Sequence, residues 1–334
     1  MSINRLLIGA TAVLVMLGSV TSARAEAKML RVAKQYGLGY IQLMIMEDQN
    51  LVERHAKAAG LGEVTVEWST FRSSDVMNDA LISGNLDFAS LGPTGIITIW
   101  SRSRSNVDVR AASGLNAMAW TLTVRDPAIK SLRDFKPEHR IAVPAVKVSG
   151  QATALEIAAA KEFGDREFEK LDPLTVSLSH PDATAMMLGG KSEIVANFSS
   201  PPFSNIQLKN PNIRAILTSD DILGGPISFN VMATTAKFRS ENPKLYGAFL
   251  SALKEATDMV SRDKEAAAET YLRLTKDRSS KEELLAILTD KTTHITMDVL
   301  NLGSFTDFMG RVGRLKNPPV DWKKEMLFPE AAAR

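Results

Sequence analysis

Ala80-Leu81-Ile82-Ser83-Gly84-Asn85-Leu86-Asp87-Phe88-Ala89-Ser90-Leu91-Gly92-Pro93-Thr94-Gly95 is the stretch whose reading decides the fold. Val76, Ala80 and Leu81 share the inward face of a helix over 75–83, and Ser73 or Ser74 can cap its start. Gly84 stops that helix, because glycine turns into the left-handed region at no steric cost. Residues 86–91 are a short apolar run, the mark of a buried strand. Gly92 to Gly95 then open a second helix that runs to Trp100.

The same alternation extends outward in both directions. Upstream, strands are predicted at 30–34 and 64–68 around a helix at 40–59, in which Ile41, Met44, Ile45 and Val52 share a face. Gly60 and Gly62 end that helix. A fourth strand is predicted at 107–112. Strand–helix–strand repeats imply a parallel sheet with helices on both faces.

Downstream the pattern restarts. Residues 120–124 are extended, and strands are predicted at 140–144, 174–178, 194–198 and 213–217, with helices at 151–163 and 183–188. Residues 227–233 are again extended. Asn242 then caps a helix with Pro243 at its first position, where the missing N–H costs nothing. Its stripe is Leu245, Phe249, Leu253, Ala256 and Val260. Helices are predicted at 264–274 and 281–289, and an irregular tail carries Pro318-Pro319 and Pro329.

Two α/β units of similar size result, bracketed by the extended segments at 120–124 and 227–233. No Pro/Gly/Ser-rich linker separates them, and the helices after 233 need a sheet to pack on. The expected arrangement is a first lobe, 26–119 with 229–334, interrupted by a second at 120–228. Two crossovers side by side then make a hinge. Two tandem domains are the competing arrangement.

The first 25 residues carry a different signal. Arg5 precedes an uncharged run over 6–20, and Ala23-Arg24-Ala25 places small residues where signal peptidase needs them. Cleavage is expected after Ala25, with release into the periplasm. The alternative, a membrane anchor, needs a longer apolar span of ~20 residues.

No cysteine occurs in the 334 residues. A lipoprotein-type anchor, structural disulfides and Cys-ligated metals are thereby excluded. The chain holds 40 Lys+Arg against 38 Asp+Glu, and removing Arg5 and Arg24 with the leader leaves the two signs equal. That balance excludes the basic excess of a nucleic-acid binder.

At this point the chain resembles the solute-binding proteins of ABC importers, in the branch handling nitrate, taurine and aliphatic sulfonates. The resemblance rests on Ala80 to Ala89 with its helix–Gly–x–x–Asp–strand pattern, Val124 to Phe135 with Ile129-Lys130-Ser131-Leu132, Ile141-Ala142-Val143-Pro144, and Asn242 to Ala256. It implies an α/β, two-lobed periplasmic binding protein fold of the type II clamshell kind, with parallel-sheet lobes joined by two hinge crossovers. It also implies a small-molecule ligand, delivery to an ABC permease in the inner membrane, and no chemistry on the ligand. No cofactor and no metal are expected, and the protein is expected to be a monomer. A full set of sulfonate or taurine contacts does not match. A thiamine-pyrimidine synthase branch of the superfamily carries a cysteine-rich motif that this chain lacks.

Open parallel sheets bind ligands beyond the carboxyl ends of their strands. Those ends give the candidate ligand-binding residues. After the first strand come Tyr36, Gly37 and Tyr40, where the glycine lets the backbone approach a ligand and the tyrosines offer polar tips; a plain turn with packed rings is the alternative. Gly92 and Thr94 follow the third strand at a helix start that could accept an anion. Ser113 and Gly114 follow the fourth. In the second lobe the candidates are Ser149, which is also a good N-cap, with Gln151, Asn197 and Ser199. Asn230 joins them from the returning crossover. Arg72 and Lys147 are the only cations close to these loops. A neutral cleft with backbone donors suits a small oxyanion or a polar uncharged organic molecule.

Enzyme readings find little support. His55, His139, His180 and His294 form no H-E-x-x-H set, and no G-x-S-x-G or P-loop pattern occurs. Gly189-Gly190-Lys191-Ser192 follows a predicted helix and reads as its C-cap. His180, before Pro181 in a strand-to-helix loop, could touch the cleft; with Asp182 it reads as a loop histidine beside a helix cap and not as a catalytic pair. A periplasmic enzyme or a sensor-kinase ligand receptor on the same fold remains the rival function.

Overall fold

The computed structural model describes residues 25–190 and 193–333. The leader up to Arg24, and Lys191 and Ser192, lie outside the described residues.

Eleven strands form two sheets among these residues: β1 (Met29–Lys34), β2 (Thr65–Thr70), β3 (Phe88–Leu91), β4 (Val109–Ala117), β5 (Thr121–Val124), β6 (Arg140–Val143), β7 (Thr175–Ser177), β8 (Ile194–Ser199), β9 (Arg214–Thr218), β10 (Asn230–Thr235) and β11 (His294–Ile295). The first sheet has the order β11-β4-β10-β3-β1-β2 and the second β7-β6-β8-β5-β9. The first therefore draws strands from both sides of the second in sequence.

The sheets are mixed, which corrects the expectation of parallel lobes. β1 pairs in parallel with β2 and β3, and β6 with β7 and β8. β10 runs antiparallel between β3 and β4, and β5 antiparallel between β8 and β9. The reason is connectivity. β5 enters its sheet directly from β4, and β10 returns to the first sheet after one short helix, Ser219–Leu223, so each comes from the other sheet and not through the long crossover that joins parallel neighbours within one.

The deciding stretch folds as read. A helix at Ser74–Ile82 ends before Gly84, whose φ of 74° is the left-handed turn. Asp87 then ties the start of β3 to β1: it accepts from the Arg31 backbone N–H at 2.8 Å and from its guanidinium at 2.8 and 3.0 Å. The Gly–x–x–Asp spacing is thus a turn followed by a strand-registering ion pair.

Several segments differ from expectation. The helix predicted over 40–59 is two, Ile41–Asp48 and Leu51–Ala58. Asn50 breaks it at φ 49°, a conformation asparagine tolerates better than most residues. β4 runs on to Ala117 because β10 and β11 pair along its second half, so Ser113 and Gly114 are strand residues, not loop residues. The helix predicted over 183–188 already starts at His180, with Ser179 as N-cap; Asp182 sits inside it and is not the cap. The tail is helical at Gly303–Arg311, Trp322–Met326 and Pro329–Ala332, where Pro329 takes the first helical position.

The core is continuous across both sheets. Phe88 of β3 stacks on Phe249 of the Pro243–Arg262 helix at 3.9 Å and 14°, and that helix buries its whole predicted stripe. The two crossovers lie side by side: Phe229 donates its N–H to Asn116 at 2.9 Å, and its ring meets Trp120 edge-on at 5.5 Å.

Candidate ligand-binding cleft

A cavity of about 20 Å³ lies between the two sheets. The carboxyl ends of β1, β3 and β6 deliver Gln35, Gly92 and Pro144 to it. Four helices begin at it: Ser74–Ile82, Pro93–Ser103, Gly150–Phe163 and His180–Gly189, supplying Ser73, Ser74, Gly92, Ser149, Gly150, Gln151 and His180 to the lining. Tyr40, Trp120, Phe229 and Asn230 complete it. Helix starts present free N–H groups and the positive end of the helix dipole. Four of them converging, two from each lobe, make a site for negative charge without a cation.

The lining bears no carboxylate, ammonium or guanidinium. Its polar centres are held in place. Tyr40 donates to Asn230 Oδ1 at 2.8 Å, which leaves Asn230 Nδ2 without a hydrogen-bond partner among the described residues. Trp120 Nε1 is likewise unpartnered, while its ring is fixed edge-on by Phe198, Phe229 and Phe305. A buried N–H left unpaired costs about 1–3 kcal/mol.

Beside the cavity, and sharing Gln35 with it, runs a groove of about 750 Å³. Tyr36, Gly37, Met44, Tyr271 and Leu274 form one wall, and Pro181, Ala185, Leu188, Phe203 and Ile206 the other. Its charged members are three of each sign: Lys34, Lys276 and Arg278 against Glu47, Asp48 and Asp277. The His180 ring lines the cavity and stacks at 5.5 Å on Phe203, which lines the groove.

Residues 24–274 match the profile of the NMT1-like family. The chain belongs to that family. A search of curated protein sequences found no match. Among solved structures, this NMT1-like chain is similar to the alkanesulfonate-binding protein of Xanthomonas axonopodis pv. citri bound to MOPS (16% identity, 88% of this chain and 96% of that one, TM-score 0.70). It is similar to the periplasmic aliphatic sulphonate-binding protein of Escherichia coli (16%, 92% and 100%, TM-score 0.65). It also resembles the periplasmic nitrate-binding protein of Synechocystis PCC 6803 (13%, 92% and 88%, TM-score 0.62). These likenesses establish the two-lobed periplasmic binding protein fold.

In this NMT1-like chain the cavity gathers Tyr40, Gly92, Ser149, Gln151 and Asn230 from the candidates drawn from sequence. Tyr36 and Gly37 line the groove. Ser149 keeps its capping role: its hydroxyl accepts from the Ala152 N–H at 3.2 Å and donates to the Ala145 carbonyl at 2.8 Å, while its backbone N–H donates to Ala145 at 3.1 Å and its carbonyl accepts from Thr153 at 3.0 Å, so it lines the cavity with its donors already engaged. The others lie elsewhere. Thr94 lines a separate cavity beside Arg314. Ser113 is fully buried in β4 and donates to the Gly114 and Met297 carbonyls. Gly114 is packed against Asp298. Asn197 and Ser199 are buried on β8, away from the cavity and groove linings. Neither Arg72 nor Lys147 reaches the cavity.

Sequence reasoning missed Trp120, Phe229, Gln35 and Gly150 as lining residues, and treated Ser73 and Ser74 only as caps. The available signal was their position: Trp120 and Phe229 at a crossover, Gln35 one residue beyond a strand end, and Ser73, Ser74 and Gly150 at helix starts.

Burial lowers the His180 imidazole to about 4, with no charged neighbour contributing. The unfolded ring takes its proton near the ordinary 6.5. Stability is therefore complete above that value and is lost as pH falls from about 6.5 to about 4. His180→Gln is expected to spare roughly 3 kcal/mol of that acid-side loss. Denaturant titrations at neutral and acid pH measure it, and an unchanged acid-side loss in the variant would refute it.

Proposed function

We propose that this protein is the periplasmic solute-binding component of an ABC importer. It captures a small polar or anionic organic solute between its lobes and passes it to a permease in the inner membrane. It acts as a monomer after removal of a leader cut behind Ala25. The observation that carries the reading is the convergence of four helix starts, from both lobes, on one cavity lined without full charges. The solved sulfonate- and nitrate-binding proteins of the same fold support it.

The sizes favour an organic solute over nitrate. The inner cavity takes about one water-sized group, enough for the leading oxygens of a sulfonate or carboxylate. The groove, at about 750 Å³, is in the range of small-molecule sites and carries apolar side chains on both walls, with its six charges balanced in sign. An oxyanion in the cavity with its organic body in the groove fills both.

The bodies that move are 26–119 with 229–334, and 120–228, joined at the two crossovers. The ligand touches both only when they are closed, so it shifts the population toward closure. Tyr36, Gly37, Tyr40, Gly92, Gln151 and Asn230 are the proposed contacts from the sequence, with Trp120, Gly150 and His180 added by geometry.

A thermal-shift screen over alkanesulfonates, taurine, carboxylates and nitrate tests the reading. At least one organic oxyanion should raise Tm above any effect of nitrate, without being converted. Failure of the whole panel, or turnover of a solute, would overturn it. Gly92→Val adds a local test. A Cβ there meets nothing closer than 3.7 Å, so the fold accepts the side chain while its methyl groups occupy the cavity. The ligand-dependent rise in Tm should vanish, with the melting temperature of the unliganded protein nearly unchanged.

A further inference from the structure

Arg314 joins the two lobes: it carries the C-terminal segment of the first into a buried acidic recess of the second, whereas the other ion pairs between them, Lys209–Glu283 and Arg311–Asp165, are exposed. That segment is anchored on the first lobe, where Trp100 Nε1 donates to the Glu325 carbonyl at 3.0 Å and the Phe328 N–H to Ala111 at 2.9 Å. From it, Arg314 reaches across. Its two terminal nitrogens donate to the two oxygens of Glu156, one at 2.6 Å, and the Glu156 side chain is 1% exposed. Glu169 and Asp172 stand at 3.5 and 3.7 Å, the Phe168 ring lies 5.3 Å beneath the guanidinium, and Phe308 packs edge-on against Phe168 at 5.8 Å.

We propose that Arg314 is a positioning residue for the cleft, a clasp that holds the lobes closed before any ligand arrives and fixes the turn that leads into Gly150. The link to the turn is direct, since Arg314 also approaches the Lys147 carbonyl at 3.4 Å, two residues before Ser149. The forked guanidinium matches both carboxylate oxygens at once, which lysine cannot reproduce. Burial pushes the Glu156 carboxyl up, and the Arg314 guanidinium pulls it back toward the charged form. Without the guanidinium that burial is uncompensated, so the recess favours the joined arrangement.

The clasp rests on the binding-protein reading only for its effect on affinity; its effect on geometry is measured without ligand. The chain has no cysteine, so Val76→Cys with Met186→Cys, two exposed sites on different lobes, takes a pair of spin labels without background. The unliganded protein should give one short distance. Arg314→Ala should make a second, longer distance the major one, and Arg314→Lys should give a mixture. Affinity for the tightest alkanesulfonate of the screen should fall about tenfold with Arg314→Ala, as closure becomes the minor state. If the alanine variant fails to fold, the lysine variant decides. Unchanged distances in the folded variants, or a wild-type protein already open, would overturn the clasp. If no solute binds any variant, the distances still decide it, and that result counts against the ligand reading alone.

Discussion

Gly150→Val is expected to abolish solute binding while each lobe keeps its fold. A Cβ at position 150 would stand 2.7 Å from Cη2 of Trp120 and 3.3 Å from Cδ of Pro93. The first contact cannot relax, because the indole is 1% exposed and braced by three aromatic rings. The second contact is with the opposite lobe. Valine therefore acts as a wedge between the starts of two helices that must meet across the closed cleft. Its own backbone, at the first position of the Gly150–Phe163 helix, is not left-handed, so the strain comes from Trp120 and Pro93 and not from the valine's conformation. Affinity should drop about 100-fold or more, the signature of a closed state made rare. Titration calorimetry measures the drop and circular dichroism checks the fold. Wild-type affinity in a folded variant would mean that the two helix starts need not meet.

Gly114→Ala should act on the fold instead. Its Cβ would lie 2.0 Å from the Asp298 carbonyl oxygen, far inside any real contact. The facing segment is pinned to β4, with Gly114 N–H donating to Met297 at 2.8 Å and Thr296 N–H to Leu115 at 3.2 Å. Backbone against backbone leaves no side chain to move aside. The variant should lose about 3 kcal/mol, at the upper end for overpacking, and roughly 5 °C in Tm. Scanning calorimetry reads this directly. A melting temperature within a degree of wild type would show that the 296–298 segment yields easily. The same experiment separates a structural Gly114 from the ligand-contacting one expected from sequence.

Much of this architecture was legible because it is local. The turn at Gly84, the strand behind Asp87 and the stripe from Leu245 to Val260 are spaced by helix and strand periods alone. The extended segments at 120–124 and 227–233 marked the passages between sheets. What local pattern could not supply was pairing. Nothing near Ser113 says that β10 and β11 will extend β4 past it, and nothing near Thr121 says that β5 will run against its neighbours. The cleft followed the same division. Gly92 and Ser149 were found because they lie between a strand end and a helix start, and Asn230 because it sits on the returning crossover. Trp120 was missed because its role depends on Phe198, Phe229 and Phe305, which surround it only after folding.

The absence of full charge from the cavity lining has a consequence for where a protein with the proposed binding role can work. Peptide dipoles act over a few ångströms, inside the reach of dissolved ions, so salt has little to shield. A cell envelope open to dilute or briny surroundings would then hold its catch with equal grip in both.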